Sequence, residues 1–233
     1  METASYDLRR RRLEEYFDRT AVDAWARLTS DAPVSRIRAT VREGRDRMRD
    51  TLLGYLPSDL TGQRVLDAGC GTGALAVEAA RRGAEVLAID ISPTLVGLAR
   101  ERMPAKFGGG SVDFRVSDML APGLGRFDWV VAMDSLIHYE PEDLTEMIAQ
   151  LAARARRGVA LTYAPRTPLL AVMHFVGKAF PRGNRAPEIV PITERSIRRR
   201  LSDHPGMSEI RVGRTDRIDV GFYKSQAMEL IRS

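Results

Sequence analysis

Three glycines on alternate positions, Gly69, Gly71 and Gly73, directly follow the run Val65-Leu66-Asp67-Ala68. An apolar strand that turns into a helix through such a loop carries little side-chain bulk, so its backbone can approach a ligand closely. The first N–H groups of the new helix then face that ligand. A tight turn without a ligand is the plainer reading, but three glycines exceed what one turn requires. Two further acids end apolar runs in the same way. Asp90 closes Val86-Leu87-Ala88-Ile89, and Asp118 follows Phe114-Arg115-Val116-Ser117. Acids at successive strand ends gather at the edge where open α/β sheets bind ligands.

Two adenine-bearing ligands fit this pattern. Gly69-x-Gly71-x-x-Ala74 satisfies the dinucleotide fingerprint, and Asp90 stands at a suitable distance to hold ribose hydroxyls. Asp67 separates the two. A pyrophosphate needs the helix N-terminus, and a carboxylate two residues before the first glycine opposes it. S-adenosylmethionine (SAM) has no phosphate, and its sulfonium and ammonium outweigh its one carboxylate. The loop therefore suits SAM, with Asp67, Gly69, Cys70, Gly71 and Gly73 as its cradle.

The elements that must position these residues follow from periodicity. Apolar runs at Arg64–Asp67, Glu85–Asp90, Val112–Val116, Trp129–Met133 and Val159–Tyr163 alternate with helical stretches at Ala74–Arg82, Pro93–Met103 and Glu142–Arg156. Gly83 ends the first helix; Ser92 and Pro93 open the second. Residues 1–57 read as a helical lid closed by Pro57, and 58–233 as the main domain, interrupted by a cap at 164–208. Two last strands are expected at Glu209–Thr215 and Val220–Ile231. The predicted fold is α/β and Rossmann-like, a seven-stranded, mostly parallel sheet with helices on both faces.

Composition narrows the setting. The chain has 233 residues, a net charge of +5 and one cysteine, Cys70, so no intrachain disulfide can form. No stretch of about 18 apolar residues suggests a membrane span, and the Arg-rich start has no secretory h-region. A cytoplasmic chain is expected. The positive charge is local: Pro165–Arg217 holds eleven Lys/Arg against five Asp/Glu, an excess of six, so the rest is nearly neutral. Thr167–Phe180 is strongly apolar. This apolar and basic segment suits a flat anionic ligand, or peripheral contact with an anionic membrane.

Val65–Ala74 resembles motif I of class I SAM-dependent methyltransferases, with Asp90 matching their ribose-binding acid and Asp118 the acid that meets the adenine amino group. Phe127–Asp134 is similar to their fourth motif. Ile91, Ser92, Met119 and Asp134 accordingly join the expected donor site, although Asp134 could equally hold its own loop. More narrowly, Tyr16-Phe17-Asp18-x-x-x-Val22-x-x-Trp25 and Asp134-Ser135-Leu136-Ile137-His138-Tyr139 resemble the magnesium-protoporphyrin IX O-methyltransferases of chlorophyll and bacteriochlorophyll synthesis. The likeness runs through essentially the whole chain.

That resemblance implies methyl transfer to one porphyrin propionate, with magnesium-protoporphyrin IX as substrate and no protein-bound metal. It implies functional roles for His138 and Tyr16. His138 could orient the carboxylate, take a proton, or simply end a helix on a backbone carbonyl. Trp25, Met173 and Phe175 are expected to meet the porphyrin face, and Arg182, Arg185, Arg195 or Arg198–Arg200 its carboxylates. Only the family suggests a hand-over from magnesium chelatase. Nucleic acid is not expected, since Asp134-Ser135-Leu136-Ile137 replaces the Asn/Asp-Pro-Pro-Tyr run of base-flipping enzymes. The rivals are methylation of another acidic or apolar small molecule, such as a quinone precursor, and a non-catalytic tetrapyrrole or SAM carrier.

Overall fold

The computed structural model describes residues 4–20, 35–166 and 188–233. Seven strands, β1 (Arg64–Ala68), β2 (Glu85–Asp90), β3 (Ser111–Val116), β4 (Phe127–Ala132), β5 (Ala155–Tyr163), β6 (Ile210–Val220) and β7 (Tyr223–Arg232), form one sheet. Its order is β3-β2-β1-β4-β5-β7-β6. The first five strands run parallel; β7 is antiparallel to both β5 and β6. Helices α1 (Ala4–Glu15), α2 (Arg36–Tyr55), α3 (Ala74–Arg81), α4 (Pro93–Glu101), α5 (Pro141–Arg154) and α6 (Glu194–Asp203) complete the described chain.

Central strands are apolar along their length because both faces are covered. Val65, Val86, Val131 and Ala160 point to one side, where Met48 and Leu52 of α2 and Ala76, Ala79 and Ala80 of α3 pack on them. Leu66, Ile89, Val130 and Leu161 point to the other, against Leu144, Ile148 and Leu151 of α5 and Tyr6 and Leu13 of α1. The cap expected at Ser92 forms as read, and Thr193 caps α6 in the same way. Ser92 Oγ accepts from Leu95 N at 3.2 Å with Pro93 in the first turn, and Thr193 Oγ1 accepts from Ser196 N at 3.2 Å.

Two expected boundaries are corrected. β6 runs on to Val220, and the hairpin turns at Gly221-Phe222, Gly221 having φ 53°. This edge strand carries charged residues on both faces (Arg214, Asp216, Arg217, Asp219), which hides its strand character from a hydropathy reading. The helix α5 ends at Arg154 because Ala155 already has extended φ/ψ and opens β5 without a loop. In the first segment α1 passes into a single π-helical turn, Tyr16–Thr20.

Candidate active site

β1 and β4 are neighbours, yet the chain leaves β1 toward β2 on one side and reaches β4 from β3. The loops beyond their carboxyl ends therefore diverge and leave a crevice. A cavity of about 400 Å³ opens there. Its floor comes from the strand ends: Asp67, the 69–72 loop, Asp90, Ile91, Asp118 and Met119. Met133, Asp134, Ser135 and His138 form the wall after β4. α1 and the π-turn close it with Tyr6, Leu13 and Phe17, and α2 adds Arg42, Arg45 and Arg49.

The glycines divide by role. A Cβ on Gly69 would stand 2.3 Å from Ser135 Cβ, and one on Gly73 2.6 Å from the Phe114 ring, so both are packing glycines. Gly71, at φ +53°, meets nothing within 4 Å. Its missing side chain leaves open space on the cavity, where a ligand can approach the backbone.

Asp67 is 1% exposed, and its Oδ2 has no hydrogen-bond partner. Burial, with Asp90 close by, pushes its carboxyl up to about 7. An orphaned buried carboxylate oxygen on a cavity calls for a cationic donor. Asp90 is also raised by burial, but it is satisfied: Oδ2 accepts from Gly71 N and Oδ1 from Ser92 N, each at 2.9 Å. It thereby fixes the glycine loop as well as lining the cavity. Ser92 itself is fully buried as the cap of α4 and does not line the cavity.

Asp118 is shared. Its Oδ1 accepts from the Tyr6 hydroxyl at 2.6 Å and from Leu120 N at 2.8 Å, and Oδ2 lies 3.1 Å from Arg10 Nε. Tyr6 also stacks on Tyr139, with centroids 5.4 Å apart. Asp118 is thus tied to α1, a link invisible in the sequence because the partners are 112 residues apart.

Asp134 has φ 55°, a left-handed conformation rare outside glycine, and its carboxylate serves the protein. Arg45 Nη1 donates to Oδ2 at 2.7 Å, and the Tyr223 hydroxyl reaches both oxygens at 3.0 and 3.1 Å. Asp134 N donates to Thr162 Oγ1 at 2.7 Å. The loop-holding alternative describes this residue better than direct donor contact. Arg42, Arg45 and Arg49 were not among the sequence candidates, although their i, i+3, i+7 spacing marks one face of α2.

His138 is 7% exposed, and burial lowers its pKa. Its Nδ1 lies 3.1 Å from the Glu188 carbonyl oxygen. A carbonyl only accepts, so Nδ1 carries the proton and Nε2 keeps a lone pair. The ring therefore does both things read for it separately: it ends on a carbonyl and it lines the cavity. Phe17 packs on it at 6.1 Å between centroids. Tyr16 stands edge-on to Phe17 at 5.3 Å, is pushed upward in pKa by burial, and is not itself a lining residue. Arg198 pairs with Glu194 and Arg200 with Glu142, away from the cavity. Trp25, Met173, Phe175, Arg182 and Arg185 lie outside the described residues.

Comparison with known proteins gives the family. The family model described as "Magnesium-protoporphyrin IX methyltransferase C-terminus" matches residues 132–232, and one described as "Methyltransferase domain" matches 65–158. The chain is 50% identical to a magnesium-protoporphyrin O-methyltransferase of Rhodobacter capsulatus over 221 residues, 94% of this chain and 95% of that one. It is 34% identical to one of Synechocystis sp. over 95% of each. The crystal structure of magnesium protoporphyrin IX methyltransferase from Synechocystis PCC 6803 with bound SAH has a TM-score of 0.83 at 32% identity, covering 96% of this chain and 99% of that chain.

Proposed function

The chain belongs to the magnesium-protoporphyrin O-methyltransferases, and on that premise we propose that it moves the methyl group of SAM to a propionate carboxylate of magnesium-protoporphyrin IX, giving the monomethyl ester. One observation carries the reading: a single cavity holds both the unpartnered carboxylate oxygen of Asp67 and the proton-accepting side of His138. The first suits a cationic donor, the second an acidic acceptor.

The residues present fit SAM. Asp67 supplies an anion for its ammonium and sulfonium charge, Gly71 admits it close to the backbone, and Asp90 and Asp118, which line the same cavity, are assigned to its ribose and adenine by the family resemblance. Ile91 and Met119 give the apolar surface between those acids. When bound, SAM supplies an electrophilic methyl group whose C–S bond breaks with its electron pair going to sulfur.

The chain's own work is to align, dry and deprotonate the acceptor. A propionate resembles a Glu side chain, ionised in water with a pKa of about 4.3, so no strong base is needed. Positioning the oxygen in line with the methyl carbon supplies most of the effect. Desolvation in the pocket raises the acid's pKa, as it raises that of Asp67. His138 Nε2 then takes the acid's proton, while Nδ1–H on Glu188 holds the ring in the right tautomer. Phe17 and Leu13 exclude water from that side.

Hand-over of the porphyrin from magnesium chelatase and a peripheral membrane contact of the 164–208 segment belong to the same proposal. That segment's apolar and basic composition supports the membrane contact, and only the family suggests the hand-over. No described helix is long and apolar enough to cross a membrane.

The test offers methyl-labelled SAM with magnesium-protoporphyrin IX, with metal-free protoporphyrin IX and with a phenolic quinone precursor. A carboxylate ester releases its label in alkali, whereas an aryl ether does not. Alkali-labile label on the magnesium porphyrin is expected. Label only on the phenol would replace this reading with the quinone one.

A further inference from the structure

The Tyr16-Phe17-Asp18 run leaves one residue without a role. Asp18 sits on the π-turn, 76 residues from the helix it touches. Its Oδ1 accepts from Thr94 N at 3.1 Å, from Thr94 Oγ1 at 2.5 Å and from Ser92 Oγ at 3.4 Å. These donors are the first turn of α4. We propose that Asp18 is a positioning residue for methyl transfer, capping α4 from the N-terminal arm and so holding the Tyr16–Phe17 turn over His138. This rests on the function proposed above.

The first N–H groups of a helix have no partner within it. In α4 the first helical position is Pro93, which has no N–H, and Ser92 Oγ takes the N–H of Leu95. The N–H of Thr94 remains, and Asp18 takes it. The carboxylate also suits the positive end of the helix dipole. Two caps thus share one helix start, one local and one brought from the arm.

The location ties that cap to the reaction. Ser92 N donates to Asp90 Oδ1, and Asp90 Oδ2 accepts from Gly71 N, so the arm, the ribose acid and the glycine loop are joined in sequence. Leu95 of the same helix turn lines the cavity. On the other side of Asp18, Phe17 packs on His138 and Tyr16 stands edge-on to Phe17. A π-turn is rare and often marks a functional position, so an outside anchor matters here. Asp18 acts on the site through Phe17, which packs on His138, and not through the donor acid, since Asp90 keeps both of its own N–H partners without it.

The experiment compares the wild type with Asp18→Ala and Asp18→Asn, measuring kcat and KM for magnesium-protoporphyrin IX, Kd for S-adenosylhomocysteine, and amide hydrogen exchange over 16–20. Displacing a positioning group costs on the order of tenfold in kcat, and that loss is expected for Asp18→Ala, with product affinity within about twofold. Asn is as good an N-cap as Asp, so Asp18→Asn should stay within about threefold of wild type. Exchange over 16–20 should quicken in the Ala variant and return toward wild type in the Asn variant. Thr94→Val, which removes the shortest donor from the opposite side, should reproduce part of the Ala effect. Unchanged kcat and exchange in Asp18→Ala, or an Asn variant as impaired as Ala, overturns the assignment. A wild type that makes no ester overturns the function instead, and the exchange data still decide the role of Asp18.

Discussion

Nδ1 of His138 stands 3.1 Å from the carbonyl oxygen of Glu188, and that contact decides which face of the ring can act. Glu188 belongs to the strand-like return that also bonds Val190 N to Ile137 O at 2.8 Å, so the turn bearing His138 is held from outside its own loop. The proton stays on Nδ1, and Nε2 is the acceptor.

Removing that acceptor should therefore act on the chemical step. General-base contributions are about a hundredfold or more in rate. We expect His138→Ala to lower kcat by about that factor while leaving SAM affinity nearly unchanged. His138→Gln should not rescue it, since an amide cannot take the proton. Burial lowers the pKa of His138 below the ordinary value of 6.5. kcat/KM, which reports the free enzyme, should fall on the acid side only as pH drops through that lowered value, and a kcat/KM profile with its acid limb above pH 6.5 contradicts the assignment.

Asp67 gives a second pH dependence, in binding. Its carboxyl is raised to about 7 in the ligand-free chain. Above that pH it is charged and attracts the donor's cationic groups; below it the proton must leave before that attraction exists. SAM affinity should weaken by roughly tenfold between pH 8 and pH 6, the ratio of ionised fractions for such a pKa. Asp67→Asn should bind weakly and without this slope. Calorimetry across that range reads both, and a flat wild-type profile removes Asp67 from the donor site.

Gly71 and Gly69 should fail differently. Valine at Gly71 projects into open cavity from a backbone at φ +53°. The expected Gly71→Val protein folds, with a modest loss of stability, and does not bind SAM. Gly69→Val drives its Cβ into Ser135 and should lower Tm first. Equal SAM affinity in Gly71→Val and wild type would falsify the cradle.

Asp134 is a stability prediction with a functional edge. Its side chain is 9% exposed, and truncation takes an ion-pair partner from Arg45 and a hydrogen-bond partner from the Tyr223 hydroxyl at once. Breaking a buried charged pair by removing one partner costs about 3–5 kcal/mol; partial exposure of Arg45 places Asp134→Ala near the lower end. Chemical denaturation should show that loss, and Asp134→Asn, which tolerates the left-handed backbone, should recover part of it. A midpoint unchanged in Asp134→Ala contradicts the hub.

The inner parallel strands and their acids were legible in the chain because β1, β2 and β4 are short, largely apolar runs ending in a turn signal. Gly69, Gly71 and Gly73 marked the loop, yet only geometry separates Gly71, which borders open cavity, from two that pack. Asp67, Asp90 and Asp118 read correctly as strand-end acids. Their partners did not, because Tyr6 to Asp118 and Asp18 to Thr94 span 112 and 76 residues. Periodicity carries no information on such pairs. Arg45 was hidden for another reason: in a chain with 36 Lys and Arg, a single arginine on a charged helix has no signature. Its i+4 neighbour Arg49 on the same cavity was the available signal.

The central claim is that one cavity delivers a methyl group to a porphyrin carboxylate. A single-turnover experiment tests it most directly. The chain is loaded with methyl-labelled SAM, mixed with magnesium-protoporphyrin IX, quenched in time, and its products are separated by chromatography and weighed by mass spectrometry. The account predicts magnesium-protoporphyrin IX monomethyl ester and S-adenosylhomocysteine in equal amounts, with the label released by alkali. Donor fully bound and porphyrin recovered entirely as the unmethylated diacid would contradict it.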